Sequence, residues 1–222
     1  MEVELIAKTC PINGYSDMQV VEQAACVCYN SEPTPDYRIA KACYNSGHLS
    51  TWEHISFTFH IKGVSRALLA QLSRHRHISL SVRSQRYCSE NGFDYVEPKS
   101  VEKEVFEDTI HRIRWAYGIM VHDGVNAEDA RMILPNACCT ELYITANARA
   151  LIEMSNLRLC TRAQAEIREM FQKMKDELLI HSPMVGERMV PQCEKNEKYP
   201  FCPEHKSCGR HPKLSEVYKS EI

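Results

Sequence analysis

The chain has 222 residues, 44% apolar and 25% charged, a composition that excludes collagen-like, coiled-coil and wholly disordered architectures. With 27 Lys and Arg against 29 Asp and Glu, the formal net charge of −2 provides no global basic field for nucleic acid or an anionic membrane. The length fits one domain, or one with an appendage, large enough to bury a core without staples.

MEVELIA alternates as an opening strand, and Val20, Val21, Ala24, Ala25 and Cys28 recur at helical spacing between Asp17 and Tyr29. Thr34-Pro35-Asp36 reads as a cap followed by proline at the first helical position, and Gly47 ends that helix. The clearest strand is HISFTFHIK, where Ile55, Phe57, Phe59 and Ile61 alternate with polar residues until Gly63 breaks it. His54 and His60 fall on its polar face and read as exposed histidines rather than metal ligands.

Ser65 caps a short helix through Leu68, Leu69 and Leu72, and the polar stretch RHRHISLSVRSQRY after it has no convincing period. Ser100 opens a long helix with Val105, Ile110, Ile113, Tyr117 and Met120 on one side, and Pro135 closes a shorter helical piece. ELYITA is a strand. Helices follow from about Asn147 to Leu157, with Ala150, Leu151, Met154 and Leu157 inward, and from Thr161 to Ile180. Helices and strands without regular βαβ alternation predict an α+β fold, a single domain with a mixed or antiparallel sheet flanked by helices. The domain spans residues 1–185, and residues 186–222 form a Cys- and Pro-rich C-terminal extension.

The 11 cysteines, an odd number scattered from Cys10 to Cys208, do not read as a disulfide framework. MEVELIAKTC lacks the basic and long apolar regions of a signal peptide, and no apolar run approaches the ~20 residues that cross a bilayer. The expectation is a soluble cytoplasmic protein with mostly free, buried thiols.

Locally the charge is far from neutral. No acidic residue occurs between Glu53 and Glu90, while Lys62, Arg66, Arg74, Arg76, Arg83 and Arg86 are basic and Ser79, Ser81, Ser84 and Gln85 lie among them. Guanidinium forks with hydroxyls around a loop suit phosphate, so this region is expected to bind an anionic small molecule. There is no Walker loop, no GxGxxG turn and no nucleophile elbow. The rival reading, a non-enzymatic RNA- or nucleotide-binding surface, lacks interleaved exposed aromatics for base stacking.

Arg74-His75-Arg76, then after seven residues Ser84-Gln85-Arg86-Tyr87, resembles the RHRHxSxSxxSQRY signature of flavin-dependent thymidylate synthases. Gly47-His48, Ser50 and Trp52-Glu53-His54 resemble the family's upstream flavin segment. Ala130-Arg131-Met132-Ile133-Leu134-Pro135 resembles its ARxxLP element. Asn147-Ala148-Arg149, Asn156-Leu157-Arg158 and Ala163-Gln164-Ala165-Glu166-Ile167-Arg168 resemble its C-terminal elements, so the likeness spans roughly residues 1–185.

The resemblance implies synthesis of dTMP from dUMP, with 5,10-methylenetetrahydrofolate as carbon donor, FAD as hydride carrier and NADPH as reductant. It implies FAD binding by Ser50, Arg74, His75, Arg76, Asn147, Ala148 and Arg149. It implies dUMP binding by Gln71, Leu72, Ser73, Arg74, Ser84, Gln85, Arg86, Arg131 and Arg158. Arg158 is implied as the catalytic residue, set against the uracil to favour its N3-deprotonated form. A homotetramer with active sites shared between subunits is implied as well, with no nucleic-acid or membrane partner. Two positions depart from the family: Val82 replaces a glutamate or glutamine found in some relatives, and Glu153 replaces a flavin-contacting asparagine. The family uses no cysteine nucleophile, so Cys88, Cys138, Cys139 and Cys160 are read as packing residues near the site.

In the extension, Cys193, Cys202 and Cys208 stand with His205 and His211 in an order that could close a tetrahedral zinc site. The spacing fits no standard finger, so the extension is read as ordered and metal-free, with zinc as the alternative.

Overall fold

The computed structural model describes residues 1–217; residues 218–222 of the expected extension lie outside them. The strands are β1 (Glu2–Lys8), β2 (Ser56–Ser65), β3 (Ile78–Val82) and β4 (Cys139–Asn147), joined in one antiparallel sheet in the order β1-β2-β4-β3. The helices are α1 (Asp17–Tyr29), α2 (Arg38–Asn45), α3 (Arg66–Leu72), α4 (Lys103–His122), α5 (Ala127–Ala130), α6 (Ala148–Arg158), α7 (Ala165–His181), α8 (Pro183–Gly186) and α9 (Leu214–Val217). The α+β class agrees with the expectation from sequence. Two compact units share the chain: Met1–Val3 with His60–Ile144, and Glu4–Phe59 with everything from Thr145 onward.

In the first unit, Ile61, Val64, Leu68, Leu72, Leu142 and Ile144 are buried, and Phe93, Ile110 and Cys138 pack with Tyr95, Phe106, Ile113 and Leu134. Ser65 caps α3 as expected, its Oγ accepting from Leu68 N at 3.0 Å. Gly63 does not end β2. It sits inside the strand at φ +68°, where an added Cβ would lie 3.4 Å from Met1 N. The stretch expected to lack a period holds β3, because Ile78, Leu80 and Val82 alternate over a span too short to stand out among its arginines. Helix α4 opens at Glu102 rather than Ser100. The Glu102 carboxylate accepts from Val105 N at 2.7 Å, and Val105 itself is exposed while Ile110 and Tyr117 are buried.

In the second unit, Trp52, Ile55, Phe57, Phe59, Leu151, Ile167, Phe171 and Met174 form the buried centre. The inner face of α1 is Met18, Val21, Glu22, Ala25 and Cys26, and Cys28 is exposed. Helix α2 starts later than the Thr34 cap implies. Pro35 and Asp36 instead occupy a turn closed by Tyr37 N donating to Thr34 O, and Thr34 Oγ1 accepts from Arg38 N at 2.9 Å. Helix α7 begins at Ala165 rather than Thr161, since Arg168 Nη1 donates to Thr161 O and Ala163 O and holds that segment as a turn. On α6, Ala150, Leu151 and Met154 are buried as expected, but Leu157 is exposed and Asn156 takes the inward position.

The thiols are free among the described residues, yet only Cys26, Cys43, Cys138 and Cys202 are buried, and Cys10, Cys28 and Cys208 are exposed.

Helix α8 packs against α7 through Gly186, where a Cβ would fall 2.7 Å from Leu179 N and 2.9 Å from Leu178 C. These are backbone atoms that cannot rotate aside. Gly186→Ala is therefore expected to cost about 1–3 kcal/mol, read as a lower urea midpoint; an unchanged midpoint would contradict so close an approach.

Candidate functional site

The first unit carries most of the basic stretch. Gln71 and buried Leu72 end α3, and Ser73 follows with its Oγ donating to Ala70 O. Arg74 and Arg76 project from the turn after α3, exposed and with no ion-pair partner among the described residues; His75 between them is half-buried. Arg66 donates within the segment, to Arg83 O at 2.8 Å, while Arg83 and Arg86 borrow counterions from outside it. Arg83 Nε meets Glu90 Oε1 at 3.2 Å, and Arg86 Nε meets Glu128 Oε2 at 3.1 Å. The hydrogen bond to buried Glu90 holds the Arg83 guanidinium above its ordinary pKa.

Glu128 joins two of the nucleotide candidates, since its backbone O also accepts from Arg131 Nε at 3.2 Å. Ser84 Oγ accepts from Arg86 N, and Gln85 Nε2 reaches Cys138 Sγ at 3.8 Å, so Ser84, Gln85, Arg86 and Arg131 form a patterned polar surface above a buried thiol. Burial pushes the Cys138 thiol up to about 11, which keeps it protonated at neutral pH and unsuited to nucleophilic attack. Val82 ends β3, half-buried and apolar, and offers a ligand only its backbone. Tyr87 is exposed beside Arg86, whose guanidinium lies 5.5 Å from the ring centre, so the basic stretch does carry one exposed aromatic, contrary to expectation.

His60 corrects the reading of exposed strand histidines. Its Nε2 meets Glu141 Oε1 at 2.5 Å and its ring stacks on Tyr143 at 4.4 Å. His54 lies outside the strand, at the end of a 3-10 turn, Leu49–His54.

In the second unit the 3-10 turn carrying exposed Ser50 packs on α6. Asn147 caps α6, its Oδ1 accepting from Ala150 N at 2.8 Å, so its amide NH₂ is the group left for a ligand. Ala148 is buried and donates its N–H to Ile55 O, a bond that fixes where α6 starts. Arg149 donates to Glu153 Oε1 at 2.8 Å and Glu53 Oε1 at 2.7 Å, and these bonds raise its pKa. Glu153, the departure from the family, thus neutralises a neighbouring guanidinium. Nothing in the sequence pattern marked Glu53 or Glu128 as counterions, because each lies far along the chain from its arginine. Arg158 is the last residue of α6, half-buried.

A family model described as "Thymidylate synthase complementing protein" matches residues 5–184. The flavin-dependent thymidylate synthase of Geobacter sulfurreducens is 41% identical over 181 residues, covering 78% of this chain and 76% of that protein. That of Clostridium tetani is 33% identical over 232 residues, covering 90% and 92%. The fold is similar to a crystal structure of thymidylate synthase X from Helicobacter pylori with FAD and dUMP, at TM-score 0.73 and 25% identity over 86% of this chain and 99% of that one.

Proposed function

The chain belongs to the flavin-dependent thymidylate synthase family, and from that membership we propose which of its residues hold FAD and dUMP and how they promote dTMP formation. The protein is an FAD-dependent thymidylate synthase. The observation that carries the residue assignment is the pair of exposed guanidiniums, Arg74 and Arg76, without counterions among the described residues and in a segment that has no acid of its own.

Arg74, His75 and Arg76 are matched to FAD, whose pyrophosphate suits unpaired guanidiniums, and Ser50, Asn147, Ala148 and Arg149 belong to the same set. When bound, FAD supplies the hydride for the nascent methyl group. Gln71, Leu72, Ser73, Arg74, Ser84, Gln85, Arg86, Arg131 and Arg158 are matched to dUMP. Arg86 and Arg131 converge on Glu128, a pairing that pre-sets two cations for a phosphate. Arg158 carries a permanent charge against the uracil ring; it favours the N3 anion and so makes C5 nucleophilic without moving a proton itself.

5,10-Methylenetetrahydrofolate is the carbon donor in this reading and NADPH the reductant. The catalytic region is 1–185, in accord with the matched span, and 186–222 is an extension. A homotetramer with shared active sites is supported by apolar side chains left in solvent: Val105, Trp115 and Ile119 on α4, and Leu179 and Ile180 on α7. No helix among the described residues is long and apolar enough to cross a membrane, in keeping with a cytoplasmic enzyme.

The purified protein is expected to be yellow, to bleach under NADPH, and to form dTMP only when dUMP, methylenetetrahydrofolate, FAD and NADPH are all present. Turnover that survives omission of FAD or dUMP would defeat the reading; bleaching by another donor but not NADPH would replace only the reductant.

A further inference from the structure

The matched family span ends at residue 184, and the cysteine-rich tail lies beyond it. Residues widely separated in that tail meet. Cys193 and Glu194 lie on a short 3-10 turn, Gln192–Glu194, fixed by Glu194 N donating to Pro191 O at 2.9 Å. His211 comes from a second turn, where Ser207 Oγ donates to His211 O and accepts from Gly209 N, each at 3.1 Å. The chain between them is drawn in by Cys202 N donating to Pro212 O at 2.7 Å, which leaves Cys202 buried beside the second turn.

The result is a convergence of three donors. The Cys193 sulfur, a Glu194 carboxylate oxygen and a His211 ring nitrogen lie within 4.8 Å of one another, all partly buried. His211 Nε2 is shut off from solvent and makes no hydrogen bond, although Glu194 Oε1 is 3.5 Å away. A buried ring nitrogen without a partner is costly, and it faces a thiol and a carboxylate that both become better ligands on ionising. The same Glu194 oxygen, Oε1, also accepts from Arg210 Nη1 at 3.3 Å, a contact that helps hold the carboxylate in place and leaves Oε2 available to an ion.

We propose that Cys193, Glu194 and His211 are the protein ligands of a zinc ion that fastens the C-terminal tail. One thiolate, one imidazole and one carboxylate suit zinc rather than calcium or magnesium, which take all-oxygen shells. The thiolate and the carboxylate balance the ion's two charges. Three protein ligands leave one tetrahedral position, for water or for the neighbouring Cys202 thiol. The sequence order suggested zinc from Cys193, Cys202, Cys208, His205 and His211; the fold selects Cys193 and His211 from that set and adds Glu194, which no cysteine or histidine spacing could have pointed to. The ion's task is mechanical: it ties the turn after α8 to the turn before α9, where the chain has few aliphatic side chains to bury.

The test uses the full-length flavoprotein, stripped with a chelator and titrated with zinc alone or cobalt(II) alone. The wild type is expected to take up one zinc per chain. Its cobalt form is expected to show tetrahedral d–d bands at wavelengths beyond flavin absorption, with a thiolate band in the cobalt-minus-zinc difference spectrum. Cys193→Ser and His211→Ala are each expected to weaken zinc by more than the roughly 10–100-fold that loss of an outer partner costs. Glu194→Gln is expected to weaken it less, and Cys208→Ser to leave it unchanged, while FAD content stays constant across the set as the check on folding. Substoichiometric zinc with no thiolate band in the wild type overturns the proposal. So does a Cys193→Ser protein that binds zinc normally, or a Cys208→Ser protein that does not. If a variant loses FAD as well, the wild-type cobalt spectrum and zinc stoichiometry decide the question alone.

Discussion

Arg158→Ala is expected to keep FAD and lose dTMP formation, with kcat falling about 10²–10³-fold, the cost of removing one preorganised charge from a developing anion. The side chain ends α6, a helix whose start is fixed by the Asn147 cap and by Ala148 N donating to Ile55 O, and whose middle is buried through Leu151, Ile152 and Ser155. The guanidinium is thus delivered by a rigid element, and truncation removes charge without loosening the backbone. Arg158→Lys separates charge from shape. A compact ammonium keeps the sign but not the planar fork, so an intermediate rate is expected. The decisive comparison is flavin reduction by NADPH against dTMP formation in the same preparation. If both fall together, the residue holds FAD and its assignment to the uracil is wrong; if neither falls, it does no chemistry.

The second large effect falls on stability. Glu22 is buried on the inner face of α1, 1% exposed, and its carboxylate accepts four hydrogen bonds: Thr34 Oγ1 at 2.7 Å, Ala40 N at 2.7 Å, Thr34 N at 3.0 Å and Ile39 N at 3.4 Å. Two of these donors are amides of the first turn of α2, whose own cap residue, Tyr37, contributes no side-chain bond. One side chain therefore anchors Thr34 at the start of the turn and caps the following helix. Glu22→Ala would bury those donors without acceptors, at roughly 3–5 kcal/mol, read as a large drop in the urea midpoint. Burial by itself would raise the Glu22 pKa, but the bonds from Ala40, Thr34 and Ile39 outweigh it and the folded-state value is lowered. A lowered carboxylate pKa gives stability that is fully present above the ordinary range and is lost as pH falls through the folded value. Glu22→Gln should flatten that acid limb while costing less at neutral pH. An unchanged acid limb would show that Glu22 does not carry it.

The same residue shows where sequence reading ended. Strand β2, the Ser65 cap and the Asn147 helix were legible because each rests on neighbours within one or two turns of chain. The start of α2 was not, because Thr34-Pro35-Asp36 has the local grammar of a helix start and is overruled by a carboxylate twelve residues earlier. The Glu102 cap of α4 was missed for another reason: a hydroxyl at Ser100 suits a cap as well as a carboxylate does, and only the fold chooses. The candidate site divides in the same way. Its cations stood out as a run of arginines, but the counterions of Arg83 and Arg86, Glu90 and Glu128, come from after the run, and Arg149 on α6 pairs with Glu53 and Glu153. His60 looked like a solvent-facing residue because its partner Glu141 lies on another strand.

Those borrowed carboxylates divide the arginines into two classes. Arg74 and Arg76 carry charge that any phosphate can use directly, whereas Arg86 and Arg149 already hold acids at 2.7–3.1 Å. Under the proposed assignment, ligand loading on the second class is an exchange of one anion for another: an incoming phosphate would have to evict a side chain that costs nothing to keep. Dissolved salt screens the resident pair and the newcomer alike, so these residues add little to the ionic-strength dependence of binding. Under that assignment the steep part of the dependence would belong to Arg74, Arg76 and Arg131, which have no carboxylate partner among the described residues. In return, the bespoken ones give selectivity, because a weakly charged or badly shaped anion cannot displace a carboxylate that is already in place.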